Sequence, residues 1–255
     1  MTTTRARWAV FADGQVGIQV LEILKSKLPS DVVATITIPG TRCSAVAHSL
    51  FPAACGLTSD DIRTESGRAQ LRGVDADLFF LAWWPFVLKS DILDLGQKYT
   101  VNMHPSLLPH GRGKDPNFWC IVEQRPIGVT LHHVSQAIDA GDIAFQSTLN
   151  ATWEDTGETI YVRSQRALVE LFGDVIIQLS SLEIPRVKQQ LALGSHHKRD
   201  ELEPASAIDL DAQYTARDLL NLLRARTFSG HPACRFSDGG EQYEITVKIA
   251  RTANV

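Results

Sequence analysis

V-N-M-H-P-S-L-L-P, residues Val101 to Pro109, is a strand that stops at two prolines and carries an amide and an imidazole on its last turn of pleat. Residues 98–104, K-Y-T-V-N-M-H, read as a short buried strand. Side chains alternate along a strand, so Asn102 and His104 share a face. Proline has no N–H to give to a ladder, and Pro105 and Pro109 therefore place the pair at the strand's C-terminal end. In an open α/β sheet, that end is where ligands bind.

A second segment, P-I-G-V-T-L-H-H-V-S-Q-A-I-D-A-G-D-I-A-F-Q from Pro126 to Gln146, brings an acid toward the same place. Val129, Leu131 and Val134 belong to an apolar strand, Ala140-Gly141 permits a tight turn, and Ile143 to Phe145 starts another strand. Asp139 falls at the bend, 35 residues after His104. A carboxylate there is able to orient an imidazole and raise its basicity. An Asn-x-His pair taken alone is commonly just a hydrogen-bonded structural pair, and the acid is what turns the reading toward catalysis on an acyl group.

Outward from this centre the chain alternates strand and helix. W-A-V-F-A is a strand, Val16, Val20, Leu21, Leu24 and Leu28 recur at helical spacing, V-V-A-T-I-T-I is a second strand and A-D-L-F-F-L-A a third. This order favours right-handed parallel crossovers and an α/β, doubly wound, mostly parallel sheet. D-G-Q-V-G after the first strand reads equally as a phosphate-binding turn or a plain strand-to-helix turn. Further on, Asp155 with Glu158 resembles a capping box before a helix whose stripe is Leu168, Leu171, Phe172, Val175, Ile176 and Leu179. The last part, residues 192–255, reads as a small extension of a capped helix and a β-hairpin turning at S-D-G-G, with Ile245, Val247 and Ile249 alternating along its second strand. Two domains are expected, 1–191 catalytic and 192–255 the extension.

The 255 residues, 44% hydrophobic and 21% charged, suffice for a full core. A net charge of −4 gives no general attraction to nucleic acid or to an anionic membrane. The start M-T-T-T-R-A-R-W has no long apolar run, and no stretch approaches the roughly 20 apolar residues that span a bilayer, so a cytoplasmic location is expected. Cys43, Cys55, Cys120 and Cys234 lack C-x-x-C spacing, which points to buried free thiols and no metal site.

N-M-H-P-S-L-L-P, G-R-G, P-N-F-W, G-V-T-L-H and I-D-A-G-D-I together resemble the formyltransferases that use N10-formyltetrahydrofolate. Within that family the chain looks closest to the nucleotide-sugar N-formyltransferases, through A-W-W-P-F-V-L, G-R-G-K-D-P-N-F-W-C-I-V-E, H-K-R-D-E-L-E and L-L-R-A-R-T-F. The resemblance implies a Rossmann-like formyltransferase fold and a catalytic set of Asn102, His104 and Asp139. It implies that formyl passes to the amine of a nucleotide-linked amino-dideoxy sugar, such as dTDP-4-amino-4,6-dideoxyglucose or its 3-amino isomer, for surface polysaccharide such as O-antigen. No metal is required. Asp115 departs from the histidine of many relatives.

By the same resemblance, Trp84, Pro85, Phe86 and Val87, with Val134, Ala137 and Asp142, form the folate slot. Read without it, Trp83, Trp84 and Phe86 are core residues. Arg112, Gly113 and Lys114, with Lys198, Arg199, Arg224 and Arg226, are candidates for a diphosphate, which guanidinium forks match well. Phe228 and Tyr214 are candidates to stack on a base. A homodimer is expected, since a lone hairpin is marginal by itself. Two other acceptors, methionyl-tRNA and glycinamide ribonucleotide, and a formyl-folate hydrolase, are the alternatives. The tail is unlike the larger basic domain of the tRNA-specific relatives, and a hydrolase of this fold usually carries an extra N-terminal domain.

Overall fold

A computed structural model describes residues 5–252; Met1–Thr4, within the start read above as lacking an apolar run, lie outside the described residues. The strands are β1 (Trp8–Ala12), β2 (Val32–Thr37), β3 (Cys55–Thr58), β4 (Leu78–Ala82), β5 (Tyr99–His104), β6 (Arg112–Gly113), β7 (Ile127–His133), β8 (Ile143–Leu149), β9 (His196–His197), β10 (Cys234–Asp238) and β11 (Glu241–Ile245). The helices are α1 (Gly14–Lys27), α2 (Arg42–Leu50), α3 (Glu65–Gly73), α4 (Ser90–Leu93), α5 (Pro116–Val122), α6 (Gly157–Ser180), α7 (Leu202–Ala205) and α8 (Ala216–Arg226).

Seven strands form one sheet in the order β3-β2-β1-β4-β5-β7-β8. The pairs β3–β2, β2–β1, β1–β4 and β4–β5 are parallel, and β7 runs antiparallel to β5. The order reverses between β1 and β4, the switch point of a doubly wound sheet, as the alternation of elements predicts. β1 and β4 are buried at every residue, which is why W-A-V-F-A and L-F-F-L-A read as unbroken apolar runs.

By contacts the chain divides into two compact units, 1–104 with 130–146 and 168–189, and 105–129 with 147–167 and 190–255. In the first, Trp8, Phe80 and Phe172 are sealed from solvent, and Phe172 meets the Trp8 ring edge-on at 6.2 Å and the Phe80 ring at 4.9 Å. The stripe on α6 is thus the cover of the sheet's centre. In the second, α5 and α8 pack through Phe118, Trp119, Ile121 and Ala225, joined by Ile160. The four cysteines are free; burial pushes Cys43 and Cys120 up to about 12 and Cys234 to about 11, so these three thiols are inert, while Cys55 is half-buried.

One strand has no counterpart in the sequence analysis, and two local expectations need correction. The edge strand β3, C-G-L-T, is too short and too mixed to show a period. At the start of α6 the reciprocal bonds are made by Thr156 and Thr159, each hydroxyl accepting the other's backbone N–H. Asp155 instead takes both oxygens to Arg163 at 2.9 Å, and Glu158 accepts from Ser229. The hairpin turns on Gly239 and Gly240, both left-handed (φ 58° and 88°), as a two-residue connection requires. Its second strand ends at Ile245, because Val247 gives its N–H to the Thr227 hydroxyl rather than to the ladder. Among the described residues, no helix is long and apolar enough to cross a membrane.

Phe172→Ala removes the ring that two buried aromatics touch, and the cost expected is about 3–5 kcal/mol. Urea denaturation followed by tryptophan fluorescence measures it; a loss below about 1 kcal/mol would show that α6 does not seal this core.

Candidate active site

Antiparallel pairing of β7 with β5 sets Asn102 opposite His132 and His104 opposite Thr130. Directly opposed residues share a sheet face, so these four side chains lie on one side. The Asn102 amide nitrogen lies 3.1 Å from His132 Nε2, and His132 Nδ1 lies 2.9 Å from the His133 carbonyl. A carbonyl only accepts, so His132 carries its proton on Nδ1 and receives Asn102's N–H on Nε2. This orients the Asn102 amide and leaves its second N–H for another acceptor.

Asp139 enters from the bend between β7 and β8. One carboxylate oxygen lies 3.5 Å from His104 Nδ1 and the other 3.5 Å from His132 Nε2. Both imidazoles are buried, and the Asp139 side chain is 14% exposed. The distances are longer than a formed hydrogen bond, a spacing that catalytic groups commonly tighten when substrate binds. Asp139 is left-handed (φ 49°), a conformation aspartate tolerates. Gly141 has no alternative, since a Cβ there would lie 1.8 Å from the His133 carbonyl oxygen.

The three residues expected to act together are therefore in one cluster. His132 is the member that sequence reasoning missed, although it stands in the G-V-T-L-H-H run already singled out. Only the pairing register, which sets His132 and not His133 opposite Asn102, singles it out.

The residues expected in the folate slot are divided. Trp84 is buried against Phe11, with ring centroids 5.6 Å apart, while Phe86 and Val87 are exposed, Val87 at 69%. The loop thus mixes a core anchor with surface apolar side chains. Val134 gives its N–H to Thr100, Ala137 accepts from the Ser135 hydroxyl, and Asp142 accepts from His133 and approaches Arg186 at 3.5 Å. Pro85 is exposed.

In the second unit, Arg112 and Gly113 form β6, paired in parallel with His196 and His197, and Lys114 gives its N–H to the His197 carbonyl. Lys114 and Lys198 are exposed, whereas Arg224 gives its guanidinium to the Thr152 and Asp155 carbonyls and lies over the Trp153 ring at 5.0 Å. Arg226 is buried and bonded to Glu203. Phe228 meets Tyr161 and His231 edge-on, and the Tyr214 hydroxyl accepts from Asp209. Asp115, also left-handed, has its carboxyl raised by burial, against the pull of Arg226, Arg199 and Lys114. His197, which the sequence did not single out, stacks on Trp119 at 3.6 Å, its two ring nitrogens on Glu123 and Glu201.

Residues 12–176 match the family model described as formyl transferase, and residues 201–251 match one described as an N-formyltransferase dimerization C-terminal domain. A methionyl-tRNA formyltransferase of Anaeromyxobacter dehalogenans is 31% identical over 155 residues, which cover 60% of this chain and 48% of that protein, so the chain spans about half the relative's length. A 4-N formyltransferase from Francisella tularensis superposes with a TM-score of 0.78 at 23% identity, covering 97% of this chain and 99% of that one. An N-formyltransferase from Helicobacter canadensis, in complex with folinic acid and dTDP-3-aminofucose, gives 0.70 at 18% identity over 92% and 85%. At these identities the likeness establishes the fold.

His133, beside the cluster, is held below its ordinary value chiefly by burial, although its Nε2 donates to the Pro185 carbonyl. The unfolded chain binds this proton first, so stability is full above pH 6.5 and falls as pH drops from there toward the depressed folded value. Melting temperatures should fall between pH 7.5 and pH 5.5, and His133→Gln, which keeps a donor but does not titrate, should fall less. Parallel losses in the two proteins would remove His133 as a cause.

Proposed function

We propose a reaction for this chain from one premise: it belongs to the formyl transferase family. The chain transfers the formyl group of N10-formyltetrahydrofolate to the amine of a nucleotide-linked amino-dideoxy sugar, with dTDP-4-amino-4,6-dideoxyglucose or its 3-amino isomer as first candidates. The product would serve surface polysaccharides such as O-antigen. The observation that carries the reading is the convergence of Asn102, His104 and Asp139 on one sheet face, at the end of β5. The folate supplies an activated one-carbon acyl group. Exposed Phe86 and Val87 offer apolar surface to its flat ring, beside the backbone groups of the 134–142 bend.

Each side chain has a task in this chemistry. Asn102 gives its second N–H to the formyl oxygen as negative charge builds there, its amide held by His132. His104 takes the proton that the attacking amine gives up as the new C–N bond forms, and returns it to N10 as the old C–N bond breaks. Asp139 steadies the imidazolium between those steps. Holding both substrates in place supplies much of the remaining acceleration.

A sugar nucleotide as acceptor is supported by the fold shared, over 92% of this chain, with the Helicobacter enzyme in complex with dTDP-3-aminofucose. The 31% identity to a methionyl-tRNA formyltransferase supports a second reading with the same donor and a tRNA acceptor. We also propose that residues 1–191 form the catalytic domain and 192–255 an extension that joins two copies into a homodimer. The match of 201–251 to a dimerization domain supports this, as does the Phe236–Tyr243 ring stack, in which the tyrosine is exposed and the phenylalanine half-buried.

Incubation with N10-formyltetrahydrofolate and, separately, the two amino sugar nucleotides, methionyl-tRNA, glycinamide ribonucleotide or no acceptor tests the reading. A sugar formamide is expected; formyl-methionyl-tRNA, formyl-glycinamide ribonucleotide, or formate without acceptor would overturn it. Asn102→Ala should lower turnover about 100- to 1000-fold. His104→Asn should lower it about 100- to 10,000-fold, and Asp139→Asn should also cripple it. Near-normal rates in any two would contradict these roles. Sedimentation at micromolar concentration should give twice the chain mass, and a monomer would refute the dimer.

A further inference from the structure

The segment after α6 is stitched to the strands on either side of the Asp139 bend. The Pro185 carbonyl accepts from His133 Nε2 at 2.8 Å, at the end of β7. Val187 and Ile143 exchange both backbone hydrogen bonds, 2.8 and 2.9 Å, at the start of β8. Arg186 reaches Asp142 at 3.5 Å. Residues 185–187 therefore form a strap held chiefly by the end of β7 and the start of β8, outside the bend.

Gln189 follows on this strap and is 6% exposed. Its side-chain nitrogen donates to the Asp139 carbonyl at 3.0 Å and to the Gly141 carbonyl at 2.5 Å. Those two carbonyls bracket Ala140, the residue next to the acid. A primary amide nitrogen has two hydrogens, one for each carbonyl; a carboxylate has none and an alkyl chain has none. The bend needs this support. Asp139 is left-handed, a state that aspartate tolerates but that its surroundings must favour over the extended one, and Gly141 has no room even for a methyl.

We infer that Gln189 is a positioning residue for Asp139: by holding the backbone on both sides of Ala140 it sets where the carboxylate meets His104 and His132. The inference rests on the reading of Asn102, His104 and Asp139 as the formyl-transfer site. Gln189 touches no reacting atom in this scheme and acts through the bend alone.

Gln189→Leu, and Gln189→Glu in case the first fails to fold, test it in the full-length protein. Backbone hydrogen exchange of residues 137–142, measured without substrates, should speed up by about tenfold or more, the scale of a buried carbonyl left without its donor. Exchange in β1 and β4 should stay unchanged. The kcat for formyl transfer should fall by a similar factor, while the KM for the amino acceptor stays within about twofold, a split that general destabilisation would not give. Unchanged exchange in the bend, or faster exchange with wild-type kcat, would overturn the inference. A wild-type protein that transfers no formyl group would overturn the function reading instead, and the exchange result would still decide whether Gln189 holds the bend.

Discussion

The antiparallel register of β7 on β5 is the constraint from which the candidate site follows. Everything from β3 to β5 is a parallel sheet, in which neighbouring strands end together and successive crossovers are long. β7 comes back beside β5 with its side chains directly opposite, so Asn102 meets His132 and His104 meets Thr130 on one face. A slip of one residue would set Asn102 against the wrong histidine and turn the amide's partner to the other face. The bend that leaves β7 then brings Asp139 back over the same pair of imidazoles.

Polar groups buried this way are costly unless they have partners, and the donors of the cluster find theirs in sequence, while His133 Nδ1 and Gln189 Oε1 have none among the described residues. Asn102 gives to His132, His132 gives to the His133 carbonyl, and His133 in turn gives to the Pro185 carbonyl on the strap. The chain of bonds runs from the proposed oxyanion donor to the segment after α6, the same segment from which Gln189 reaches the bend. One structural element is thereby tied to both ends of the site. Low local dielectric strengthens such a network and makes any broken member expensive.

Much of this is legible in the residues. The period of two along K-Y-T-V-N-M-H places Asn102 and His104 together, and Gly141 marks the bend that carries Asp139. Sequence could not choose between His132 and His133, because only the pairing register sets the first opposite Asn102 and the second opposite Val101. Gln189 lies in a polar stretch without period, and its two carbonyl partners are about fifty residues earlier. The α6 cap was misread by one residue: Asp155 looks like a cap, but Arg163 two turns later captures it and leaves the task to Thr156 and Thr159. In the first two cases the missing information is a partner distant along the chain, and in the third a competing cation two turns into the helix.

A crystal structure of the protein with bound 5-formyltetrahydrofolate, a stable isomer of the donor, tests the central claim most directly. The account predicts the formyl group at the C-terminal end of β5, with its oxygen within hydrogen-bond distance of the Asn102 side-chain nitrogen and the Asp139–His104 contact shortened below 3.5 Å. A folate bound away from Asn102, or His104 and Asp139 separated in the complex, would contradict it.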